Sequence, residues 1–145
     1  MSGGGRIAGL AFATLAALLP ALAGPPAEAA ADGCRFADGR AAAGRFSAGG
    51  QDYLYRFDPP QLAVGRRFSV QVQACAPDPS ALTGVDARMP AHRHGMNYRP
   101  RLEALSATGW RAEGLLLHMP GDWRFLFTVD GPSGSIEAAV DRKVQ

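Results

Sequence analysis

From about residue 50 onward, apolar and polar residues alternate with a period of two, the pattern of strands with one buried face. Tyr53, Tyr55 and Phe57 alternate with Leu54, Arg56 and Asp58, and Pro59-Pro60 stops the run. Phe68, Val70, Val72 and Ala74 alternate with Ser69, Gln71 and Gln73. Val85, Ala87 and Met89 alternate with Asp86 and Arg88, and Pro90 closes that strand. Leu102 to Leu105 is a short apolar stretch, and Ala112 to His118 is apolar nearly throughout, as a strand buried on both faces would be. Trp123, Phe125, Phe127 and Val129 alternate with Arg124, Leu126 and Thr128, and Ile136, Ala138 and Val140 make the last strand.

Turn chemistry separates these runs. Ala76 to Ser80 and Gly131 to Gly134 read as turns, and Pro120-Gly121 has the central residues of a type II turn. No segment after the N-terminal leader shows a 3.6-residue period. About seven short strands predict an all-β fold, an immunoglobulin-like antiparallel β-sandwich, with a barrel as the alternative closure. A chain of 145 residues, 47% hydrophobic and 19% charged, fits one folded domain.

The first 23 residues read as a signal peptide that is cleaved. Arg6 supplies the positive start, Ile7 to Leu22 the apolar run, and Ala21-Leu22-Ala23 a small-x-small cleavage site. The apolar run falls short of the roughly 20 residues a membrane-spanning helix needs, so no membrane span is expected after cleavage. Residues 24–45 begin Pro- and Ala-rich and read as a loose N-terminal segment, with the sandwich over 46–145. The expected location is periplasmic or secreted.

Export gives the two cysteines meaning. In an oxidising compartment Cys34 and Cys75 most simply form one disulfide. A thiolate metal pair is the weaker alternative, without CxxC spacing or a nearby His. A lipid anchor on Cys34 is disfavoured by Asp32 and by the absence of a Leu three positions upstream. The net charge of +2, with scattered basic residues, offers no electrostatic basis for nucleic-acid binding.

The chemically unusual feature is where His and Met fall. His92, His94 and His118, with Met89, Met96 and Met119, all lie between residues 89 and 119, and the rest of the chain after the initiator has neither type. Imidazole with thioether suits copper, since thioether is soft and selects Cu(I). His92, His94 and Met96 stand at i, i+2 and i+4, so an extended backbone points all three to one side, with Gly95 allowing a bend. Met89 continues the apolar face of Val85 and Ala87 and fits the core better than a ligand shell. Met119 could cap the core, and His118 could be a half-buried histidine in its strand.

Enzyme signatures are missing. There is no G-x-S-x-G elbow, no free Cys to pair with a His, and no phosphate-cradling glycine loop. A metal-free alternative is an envelope protein partner held by the 90–101 loop through Arg93, Tyr98, Arg99 and Arg101, since Arg and Tyr are common interface anchors.

Two strings carry a family resemblance: Met89-Pro90 with His92-x-His94-Gly95-Met96, and Gly114-Leu-Leu-Leu-His-Met119-Pro120-Gly121-x-Trp123. Over about residues 65 to 130 the chain resembles the YtkA-like group of small exported bacterial domains, related in style to the periplasmic part of FixH-type proteins. The resemblance implies a sandwich fold, export, and a non-catalytic role in copper handling or cytochrome oxidase assembly. It carries the metal loop onto Met89, Pro90, His92, His94, Gly95 and Met96, and the second string onto Met119, Pro120, Gly121 and Trp123.

Overall fold

The computed structural model describes residues 33–145 together with Met1 and Gly4. The leader read over residues 1–23 and the start of the segment after it lie outside the described residues. Nine strands follow in order: β1 (Gly44–Ala48), β2 (Gln51–Asp58), β3 (Arg67–Ala74), β4 (Leu82–Met89), β5 (His94–Gly95), β6 (Arg101–Ser106), β7 (Gly109–Leu116), β8 (Gly121–Gly131) and β9 (Gly134–Val144). Two antiparallel sheets form a β-sandwich, ordered β1-β2-β3-β7-β6 and β5-β4-β8-β9. No helix among the described residues is long and apolar enough to cross a membrane.

The period-two runs place the core as expected. Tyr53, Tyr55, Phe57, Val70 and Val72 of the first sheet face Ala87, Trp123, Phe125 and Phe127 of the second, all buried. Phe46 stacks across the layers on Phe127 at 4.3 Å and within its own sheet on Tyr53 at 5.0 Å between centroids. Such pairs contribute roughly 0.5–1.5 kcal/mol each beyond the area they bury. β1 and the two-residue β5 escape the sequence pattern because a short strand gives too few alternations to show a period.

Strand β7 is not buried on both faces. Its exposure alternates, with Ala112, Leu115 and Leu117 buried and Glu113, Gly114 and Leu116 only partly so. The pairing of β7 with β3 slips between Phe68 and Ser69, and Gly114 is the extra residue, at φ +85°. A bulge reverses the alternation, so a one-faced strand reads as a continuous apolar run. The same slip puts Leu115 and Leu117 in the core and leaves His118 exposed.

The stretch expected to be loose is packed from Cys34 onward, ahead of the boundary at residue 46. Cys34 and Cys75 form the disulfide, Phe36 is buried, and the Arg56 guanidinium lies over the Phe36 ring at 4.2 Å. Asp38 grips Arg56 with both carboxylate oxygens, at 2.7 and 2.6 Å. The strap runs along β2 on the outer face of the five-stranded sheet, which is why Leu54, Arg56 and Gln71 are buried on a side that would otherwise be open.

Candidate metal centre

One end of the sandwich gathers the ends of β4 and β7 with the starts of β3, β5 and β8. The ladders fix this: Arg67 pairs with Leu116, Met89 with His94, and the Gly65 N–H donates to the Leu117 carbonyl at 2.8 Å. All three histidines lie here and all are exposed.

His92 sits in the turn that joins β4 to β5. Its N–H donates to the Met89 carbonyl at 3.2 Å, and Arg93 after it takes the left-handed conformation, φ 55°. The extended run expected over His92, His94 and Met96 therefore holds only from His94 onward. The bend falls at Arg93, while Gly95 lies in regular pairing with Arg88. Even so, the His92 and His94 rings end nearly parallel, 17° apart, with centroids at 6.3 Å.

His118 arrives from the crossover between β7 and β8, which passes from one sheet to the other rather than closing a hairpin. Its ring meets His94 edge to face at 6.1 Å and rests against the indole of Trp123 at 5.5 Å. Trp123 is fully buried, and its Nε1–H donates to the Met119 carbonyl at 2.9 Å. That bond pins the crossover, so Trp123 sets where His118 and Met119 stand. The Met119-Pro120-Gly121-x-Trp123 string held this signal, though spacing alone did not reveal the indole as the floor of the site.

The thioethers lie beneath the imidazoles. Met89 is buried in the core, 2% exposed, as its place on the β4 apolar face predicts. Paired residues in a ladder share a face with Cβ atoms about 4.5–5.5 Å apart, so His94 projects on the same side as Met89. Arg88 pairs with Arg124, so Trp123 follows Met89 on that inner face, and the row reads Trp123, Met89, His94. The Met96 N–H continues the ladder to the Ala87 carbonyl at 3.0 Å, and Met96 and Met119 pack half-buried against the core. Gly121, at φ +131°, makes room here: a Cβ on it would stand 2.7 Å from the Met89 methyl.

Two imidazoles sharing one ion at about 2.0–2.1 Å per nitrogen place their ring centroids roughly 5–6.5 Å apart. The two observed separations fall in that range. Among the described residues no group of three His, Cys, Asp or Glu side chains is placed to hold a metal ion. Closing a ligand set takes rotation of the exposed imidazoles, and for His118 it means leaving its contact with the Trp123 indole. The cysteines are paired with each other at the far end of β3, about 20 Å away along the strand, and are not donors here.

The alternative partner residues separate. Arg93 is exposed between His92 and His94, whereas Tyr98 and Arg99 are exposed along a groove they share with Val85 and Asp86 of β4. Arg101 is tied to Glu113 at 2.8 Å, and that bond holds the Glu113 carboxyl below the usual carboxylate range. No protein-family model, no curated protein and no solved structure matches the chain.

Proposed function

We propose that this domain binds copper at the histidine end of the sandwich and serves as a non-catalytic carrier or accessory module. The observation that carries the reading is the convergence of every histidine in the chain, from the β4–β5 hairpin and the β7–β8 crossover, into one chain of ring contacts. Met89 shares a sheet face with His94 and Met119 follows His118, while Met96 packs half-buried against the core beside the groove along β4; a mixed imidazole and thioether set suits Cu(I). His94 and His118 are the central pair, His92 the outer donor, and the methionines the thioether reserve under them. The disulfide is of the kind that persists in oxidising compartments, which accords with work in the periplasm or outside the cell. The resemblance of the two strings to YtkA-like domains points to copper homeostasis or cytochrome oxidase assembly.

A Cu(I) competition titration against a chromophoric chelator tests the reading, with protein beginning at Gly24. One equivalent bound at sub-micromolar Kd, lost in a folded His94→Ala/His118→Ala variant, is the expected result. No competition by the unmutated protein, repeated with Cu(II) and Zn(II), rejects it.

A further inference from the structure

Arginines without an ion-pair partner are frequent on the face that begins at the imidazoles. Arg93 stands between His92 and His94. Arg66 follows Gly65, whose N–H is bonded to the carbonyl just before His118. Arg67 begins β3 opposite Leu116 and lies over the Tyr98 ring at 5.9 Å. Arg99 follows Tyr98 and lines with it a groove of about 520 Å³ between β4 and the start of β6. All four arginines are exposed, and among the described residues none has a carboxylate within 4.0 Å.

Three carboxylates also lie on or beside this face. Asp58 stands 4.0 Å from Arg40. Asp122, across the ladder from Lys143, and Asp86, which lines the groove with Arg99 and accepts the Ala87 N–H at 2.8 Å, have no ion-pair partner among the described residues and offset part of the positive charge. The chain as a whole carries only +2, so four arginines without an ion-pair partner, against two such carboxylates, leave a local excess of positive charge on the face that runs from the histidine turn into the groove beside β4.

An excess of positive charge does not steer a free metal ion toward imidazoles; it repels one. It attracts an acidic surface, whose charges also offset those of the ion in transit. We infer that copper reaches or leaves this site through a partner protein that presents an acidic face to Arg66, Arg67, Arg93 and Arg99. The inference rests on the copper reading for what is passed across the face, while the docking itself is measurable without metal. A protein is favoured over an anionic lipid surface because a partner in copper exchange must carry ligands of its own, and phosphate oxygens are hard donors poorly suited to Cu(I).

The experiment uses two synthetic peptides with the same methionine-rich copper motif, one flanked by glutamates and one by lysines. Stopped-flow transfer of Cu(I) into the protein is followed alongside fluorescence anisotropy of each metal-free labelled peptide. The expected result is transfer about tenfold or more faster from the acidic peptide at low salt, with the difference collapsing near 0.5 M salt. Binding of the metal-free acidic peptide weakens in parallel. In Arg66→Gln/Arg67→Gln/Arg99→Gln the preference disappears, while equilibrium Cu(I) affinity is equal or higher. The pair Arg66→Glu/Arg99→Glu reverses the preference and guards against a misfolded triple variant.

Equal rates and equal binding for the two peptides at low salt overturn the inference. So does binding to vesicles of phosphatidylglycerol and phosphatidylcholine, but not of phosphatidylcholine alone, with no preference between peptides; the face is then a membrane surface. Copper taken from neither peptide at equilibrium rejects the copper reading, and the metal-free anisotropy still decides the docking.

Discussion

His94 and His118 meet edge to face with ring centroids 6.1 Å apart, although one belongs to the short strand β5 and the other to the crossover between the two sheets. Both are exposed and neither supports the core. His118→Ala is therefore expected to change stability by no more than about 0.5 kcal/mol, as surface substitutions usually do. It should weaken Cu(I) binding by about tenfold or more, the loss of one donor corresponding to at least ~1.4 kcal/mol. Paired thermal melts and chelator titrations check this. A variant that melts normally and binds as tightly as the parent removes His118 from the site.

Trp123 should show two separable effects. Trp123→Ala empties a fully buried site and is expected to cost about 3–5 kcal/mol. Trp123→Phe keeps much of the volume but leaves the Met119 carbonyl without its indole donor, and the lost hydrogen bond is worth about 0.5–1.5 kcal/mol. The Phe variant should fold and yet bind copper more weakly, because the crossover that carries His118 is no longer pinned. Denaturant unfolding and the same titration, run together, check both halves. Unchanged copper affinity in the Phe variant would show that the bond does not position the site.

The disulfide fastens the strap at the end of the sandwich opposite the histidines. Cys34→Ser/Cys75→Ser is expected to lower stability by about 2–4 kcal/mol, since the closed loop spans 41 residues and its closure restricts the unfolded chain. Copper binding by the fraction that remains folded should be unchanged. Chemical denaturation with and without the bridge gives the first number, and a titration well below the unfolding midpoint gives the second.

The architecture was legible because the core strands are long and one-faced. Tyr53 to Phe57, Phe68 to Ala74 and Trp123 to Val129 announce themselves by alternation, and the structure puts those residues inside. The disulfide was legible from residue count and compartment. Other features lay below the reach of pattern. Gly114 inserts one residue into β7 and flips the parity of all that follows, so His118 could not be assigned a face. Phe36 and Asp38 carry no periodic signal, and their role exists only because Arg56 projects to the outer face beneath them. At the candidate site the sequence singled out the clustered histidines and methionines, and the structure brings the three imidazoles into contact. The floor under His118, and the turn at Arg93 that stacks His92 on His94, emerge only when the β4–β5 hairpin and the β7–β8 crossover are brought to the same end.

Asp38 makes the strap sensitive to acid. The Arg56 guanidinium donates two hydrogen bonds to it, the Arg40 N–H adds a third at 3.0 Å, and together they hold the carboxyl far below its ordinary value of 3.8. A carboxylate with a lowered folded-state pKa adds stability that is fully present above its unfolded value. That contribution is lost progressively as pH falls below about 4, toward the lowered value. Asp38→Asn should therefore be less stable than the parent at pH 7, with the gap narrowing steadily between about pH 4 and pH 2 as the parent's carboxylate is protonated. Urea melts of the two proteins in steps from pH 7 to pH 2 measure this directly. A constant gap between Asp38→Asn and the parent across that range would mean that the strap is held by Phe36 and the disulfide, with no contribution from the ion pair.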